Sequence, residues 1–76
     1  MTNSIDDIIK ESERFLREEF GAERYRMVNV LEFIDIVLDN NLRDNVKVRN
    51  FKIGAIPFTQ VYLELKGEYV YSTTII

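Results

Sequence analysis

Apolar residues open the chain at helical spacing. Ile5, Ile8, Ile9, Phe15, Leu16 and Phe20 recur three and four positions apart, with Ser12 where the stripe would otherwise continue. Lys10, Glu11, Glu13, Arg14, Arg17 and Glu18 take the opposite side, and Asp6–Lys10 and Glu13–Arg17 are favourable i,i+4 pairs. Ser4 precedes Ile5-Asp6-Asp7, so Asp7 stands where a capping acid reaches back, and Gly21 supplies a left-handed stop. The pattern predicts a first helix ending at Gly21.

The stretch from Asn29 to Asn41 organises the rest. As a helix, Glu32, Asp35 and Asp39 form one narrow acidic stripe, and Val30, Leu31, Phe33, Ile34, Ile36, Val37 and Leu38 fill the remaining circumference. As a strand, the acids would split between both faces and one carboxylate would be buried at considerable cost. Asn29 followed by Glu32 also reads as a capping pair. The expectation is a helix nearly surrounded by protein. The segment before it alternates Tyr25 and Met27 with Arg24 and Arg26, which predicts a short strand broken from the helix at Asn29.

Asn40-Asn41-Leu42-Arg43-Asp44-Asn45 is a polar connection. Val46, Val48, Phe51 and Ile53 then mark a strand, and a bulge near Arg49-Asn50 would bring all four to one side. Gly54-Ala55-Ile56-Pro57 reads as a four-residue connection. For the last two strands, a three-residue loop Leu65-Lys66-Gly67 with Gly67 left-handed puts Val61, Leu63, Tyr69, Tyr71 and Ile75 on one face. Gln60, Glu64, Glu68, Ser72 and Thr74 then share the other. The predicted fold class is α+β, a single domain over residues 1–76. It has two layers, two helices packed on a small antiparallel β-sheet, in the order α-(β)-α-β-β-β.

Composition narrows the chemistry. The 76 residues contain neither cysteine nor histidine, so no disulfide, thiol nucleophile, imidazole base or imidazole ligand exists. Stability must come from the core, which a 46% hydrophobic composition supplies. No apolar run is long enough for a membrane span, and the acidic start is unlike a secretory signal, so the expectation is a cytoplasmic protein without membrane contact. Residues 1–39 carry a net charge of −5 and residues 40–76 a net +2, within a total of −3. Complementary solvated surfaces account for most such asymmetry.

Glu32, Asp35 and Asp39 spread over two turns without calcium-loop spacing, so no metal site is expected. No phosphate-cradling loop or nucleophile elbow occurs, and the serines have no histidine to activate them. The chain therefore reads as non-enzymatic, without a cofactor. Arg43, Lys47, Arg49 and Lys52, near Phe51 and Phe58, are the candidate set for single-stranded nucleic acid. A dedicated binder is usually basic, and this chain has a pI near 4.9. Phe58, Tyr62 and Val70 stand out on the polar sheet face, with Tyr62 opposite Val70 in the chosen register. With Glu64 on the rim they are the candidate partner-binding anchor, unless the first helix covers them.

The opening Met1-Thr2-Asn3, then Asp7-Ile8-Ile9-Lys10-Glu11, and the order helix, strand, helix, strands resemble the phage uracil-DNA glycosylase inhibitor family. Where that family carries an acidic strand imitating DNA, this chain has the basic Arg24-Tyr25-Arg26-Met27, so no residue roles transfer. The resemblance implies a small acidic inhibitor of a nucleic-acid-handling enzyme. The functional expectation is a protein-binding module that inhibits or regulates a larger intracellular protein. The alternatives are a structural homodimer formed through the β-sheet and, third, the nucleic-acid binder.

Overall fold

In the computed structural model, residues 5–67 and 69–75 are described. The elements are helix α1 (Ile5–Phe20), strand β1 (Tyr25–Met27), helix α2 (Val30–Asp39), a 3₁₀ turn (Arg43–Asn45), and strands β2 (Lys47–Ile53), β3 (Ile56–Glu64) and β4 (Val70–Ile75). The α+β class and the element order match the sequence reading. The sheet is mixed rather than purely antiparallel. Its order is β1-β4-β3-β2, with β1 parallel to β4 and the last three strands an antiparallel meander.

The helices do not share a layer. Side chains alternate across a strand, and α1 meets the face bearing Gln60 and Tyr62 while α2 meets the face bearing Leu63. The chain crosses from one face to the other through β1, which enters the sheet at its edge between the two helices.

The α1–sheet interface carries a polar belt. Ile8, Ser12 and Leu16 are the buried residues of α1, one turn apart. The Ser12 hydroxyl donates to the Ile8 carbonyl at 2.9 Å and shares a 2.7 Å hydrogen bond with Thr74 Oγ1. Gln60 Nε2 donates to the Ser12 carbonyl at 3.2 Å and to Ser72 Oγ at 3.0 Å, and Ser72 Oγ donates to the Val61 carbonyl at 2.9 Å. Among the described residues, no buried side-chain nitrogen or oxygen lacks a partner, as the cost of desolvating such groups demands. Gln60, Ser72 and Thr74, expected on an outer polar face, are therefore interior or half-buried. Their polarity matches each other and α1 rather than water.

The opposite interface is apolar. Phe33, Val37 and Leu63 form its centre, with Val28, Ile36, Leu42, Val46, Val61, Leu65 and Tyr71 packed around them. Asn29 caps α2 as the sequence suggests, its side chain accepting from the Glu32 N–H at 2.8 Å. The far end closes with two reversed bonds, Asn41 N–H to Leu38 C=O at 3.1 Å and Leu42 N–H to Val37 C=O at 3.0 Å. Asn41 takes φ +54° to permit them, and Leu42 drops into the core beside the helix it terminates. Gly21, at φ +100°, ends α1 as expected. The capping role of Ser4 lies outside the described residues.

Three details of register depart from expectation. β2 pairs residue for residue with β3 from Lys47↔Tyr62 to Ile53↔Ile56, so no bulge forms. Phe51 and Ile53 share the α1 face with Lys47 and Arg49, while Val48 turns to the α2 face. The connection is the two-residue Gly54-Ala55, with Gly54 at φ +62°. Pro57 sits on the side of β3 away from β2, where its missing N–H breaks no bond of that ladder. In the last hairpin Leu63 pairs with Tyr71 and Glu64 with Val70, and the Leu65 N–H donates to the Tyr69 carbonyl at 3.3 Å. The register is two residues from the expected one, which keeps the paired residues of β3 and β4 on their expected faces but sets Tyr62 against Ser72. Gly67 is left-handed at φ +76°.

A candidate docking surface on the second helix

Ten residues make less than three turns of helix, and one sheet face covers only one side of them. Phe33 and Val37 are buried and Ile36 is half-buried. At about 100° per residue, Ile34, Leu38 and Leu31 follow Val37 around the circumference as one arc. Asp35, Asp39 and Glu32 make the next arc. Leu31 is 75% exposed, Leu38 64% and Ile34 45%. Contrary to the sequence expectation, α2 is not nearly surrounded by protein: one flank stands in the open. Among the described residues nothing covers that flank, because α1 lies on the far side of the sheet. Three large aliphatic side chains therefore stand in the open beside a ridge of three carboxylates, and grouped exposure of this kind differs from the scattered apolar residues normal on surfaces.

The partner-binding residues expected from the sequence do not assemble into a surface patch. Val70 is wholly enclosed. Tyr62 lies under α1, with ring centroids 5.2 Å from Phe15 and 5.9 Å from Phe20, both edge to face. Phe58 is half-buried against Phe51 at 5.8 Å. Glu64 remains at the surface, 4.0 Å from Arg24. The covering helix is the reason: the apolar side chains of this face are its contact surface.

The basic set is dispersed as well. Arg43 belongs to the 3₁₀ turn, Lys47 and Arg49 to the α1 face of β2, and Lys52 to the opposite face. Arg49 is committed internally. Its guanidinium reaches Glu11 Oε2 at 3.2 Å, its Nε donates to Gln60 Oε1 at 3.1 Å, and it stacks over the rings of Phe15 at 4.3 Å and Phe51 at 4.7 Å. Glu11 also receives Arg14 at 2.6 Å. Hydrogen bonding by Arg14, opposed in part by burial and reinforced by Arg49, holds the Glu11 carboxyl below its ordinary value. The sequence reading missed this carboxylate, and a cation with two aromatic neighbours inside one hairpin was the available signal. It also missed a second aromatic–arginine site, where Arg26 lies 3.7 Å over the Tyr69 ring beside Arg24 and Tyr71.

Among the described residues, no helix is long and apolar enough to cross a membrane. Comparison with protein-family models, with curated proteins and with solved structures returned no match.

Proposed function

We propose that the chain is a non-enzymatic protein-binding module, an inhibitor or regulator of a larger protein, and that it docks through the exposed flank of α2. The exposure of Leu31, Ile34 and Leu38 beside Glu32, Asp35 and Asp39 carries this reading. An apolar strip with a charged margin has the anatomy of an interface core and its rim. The partner surface that complements it is an apolar cleft bordered by lysine and arginine. Basic clefts of nucleic-acid-handling enzymes have that chemistry, so inhibition of such an enzyme belongs to the same proposal. A second copy fits this flank poorly, since a two-fold contact would face two acidic ridges toward one another. The absence of histidine and cysteine, with Ser12 and Ser72 held in the interior belt, supports a non-catalytic role. An intracellular setting, the cytoplasm, suits a chain with no cysteine to cross-link.

The reading is tested by capture from the native host with wild-type, Leu31→Glu and Leu38→Glu baits at low and high salt. A partner retained by the wild type, lost with both variants and weakened by salt supports it. A partner held equally by all three baits refutes it.

One observation favours a homodimer as the second reading. Backbone bonding alternates along β2, so Val48, Asn50 and Lys52 direct their N–H and C=O groups outward along a seven-residue edge that no described strand pairs. Light scattering separates the two readings, because edge pairing requires a dimer.

A further inference from the structure

β1 is short, and it leaves part of β4 uncovered. The parallel ladder between them runs from the Val70 N–H, bonded to the Arg24 carbonyl at 2.8 Å, to the Ser72 carbonyl, which accepts from the Val28 N–H at 2.9 Å. Alternate residues of β4 thus direct their backbone groups toward β1, and Thr74 is the next in that series. At Asn29 the chain turns into α2 and the ladder stops. Among the described residues no backbone group pairs with the Thr74 N–H or C=O on that side.

The space beside Thr74 is a groove of about 450 Å³. Its floor is Thr73 and Thr74, with Ile8 and Ile9 of α1 on one side and Val28 and Val30 on the other. The two walls belong to opposite faces of the sheet. By the alternation of the ladder, a donor and an acceptor of Thr74 therefore face the side of β4 on which this largely apolar groove lies.

We infer that this groove takes an extended peptide segment of a partner protein, which adds to the sheet beside Thr74 as a continuation of β1. An antiparallel peptide satisfies the Thr74 N–H and C=O with one residue, and a parallel peptide does so with the two residues flanking the contact. Main-chain bonds supply register, and side chains supply selection. Because Ile8 and Ile9 lie over one face and Val30 over the other, successive side chains of the peptide both enter apolar surroundings. The segment preferred is accordingly two adjacent aliphatic residues, rather than the alternating apolar and polar pattern of an ordinary edge strand. The site is separate from the Leu31–Leu38 flank of α2, and neither depends on the other.

The probe is a phage-displayed library of random linear peptides selected on the immobilised protein, followed by synthesis of the enriched sequences. Peptides with adjacent aliphatic residues are expected. Their affinity should drop at least tenfold with Ile9→Glu and with Val30→Glu and stay unchanged with Leu31→Glu, which reports only on the α2 flank. Binding should slow hydrogen exchange of the Thr74 amide in the wild-type protein. A single backbone N-methyl group at the pairing position should abolish binding, and this arm requires no protein variant. Ile9 and Val30 are 39% and 42% exposed, so both substitutions leave the core intact, and near-ultraviolet circular dichroism checks this. The inference is overturned by a library that yields nothing above an unrelated control protein. It is equally overturned by peptides whose binding survives both groove substitutions, or by N-methylation without effect. Loss of the peptides with Leu31→Glu alone would assign them to the α2 flank and overturn it too.

Discussion

Phe15 of α1 meets Tyr62 of β3 edge to face, with ring centroids 5.2 Å apart and planes inclined at 62°. The contact fastens the amphipathic first helix to the sheet and half-buries the side chain that, by sequence, best resembled a partner anchor. Tyr62→Ala loses both this contact and the one to Phe20, and should destabilise the fold by about 2–4 kcal/mol. Tyr62→Phe should cost well under half of that. Chemical denaturation of the two variants measures the difference, and Tyr62→Ala unfolding at wild-type denaturant concentration would remove the contact from the account.

Gln60 stitches the same interface by a different force. Its amide bridges the Ser12 carbonyl, Ser72 Oγ and Arg49 Nε inside the protein. Gln60→Leu retains the volume and leaves several of those partners unsatisfied, so a loss of about 1–3 kcal/mol is expected. Pairing it with Ser72→Ala should cost less than the sum of the single changes, because one bond is removed in both. Strict additivity in that double-mutant cycle would mean the belt does not act as a unit.

The Glu11 carboxyl titrates below the 4.5 of an ordinary glutamate, through hydrogen bonding by Arg14 and then Arg49 against a burial that pushes the other way. A folded-state value below the unfolded one stabilises the protein above the unfolded value. That contribution falls away as pH drops through the folded value. Wild-type stability should therefore decline on acidification below about pH 4.5, with a smaller decline in Glu11→Gln. Guanidinium titrations at pH 7 and pH 3 test it. An equal acid loss in both proteins would show that other carboxylates carry the effect.

The sequence was most informative where a pattern had one physical meaning. The helical stripe through Leu16, the capping of α2 by Asn29 and the left-handed Gly21 and Gly67 each answer a local requirement, and each is where expected. The polar face of Gln60, Ser72 and Thr74 misled because polarity reports a need for hydrogen bonds, which water or a buried Ser12 meets equally well. The flank of α2 misled in the opposite sense. Its apolar residues implied burial on every side, but a chain of this size has only one sheet face to offer the helix. The parallel pairing of β1 was not visible either, since a three-residue strand carries no signal of direction.

The two sides of α2 should respond oppositely to substitution. Leu63→Ala, beneath Phe33 and Val37 in the apolar core, should cost about 2–5 kcal/mol. Leu31→Gln and Leu38→Gln, at exposed positions, should each alter stability by no more than about 0.5 kcal/mol. Thermal melts decide this. Strong destabilisation by either glutamine would mean that the flank is covered in the free protein.

The exposed flank of α2 is the surface proposed to dock a partner. Its most direct test is titration calorimetry of the captured partner with wild-type protein, Leu31→Gln, Leu38→Gln and Asp35→Lys. We expect either leucine substitution to weaken binding by about 2 kcal/mol, close to thirtyfold in Kd, as loss of an interface anchor does. Asp35→Lys should weaken it further at low salt than at high salt, because the partner's margin is basic. Unchanged affinity for both leucine variants, with all four proteins equally folded, would contradict the account.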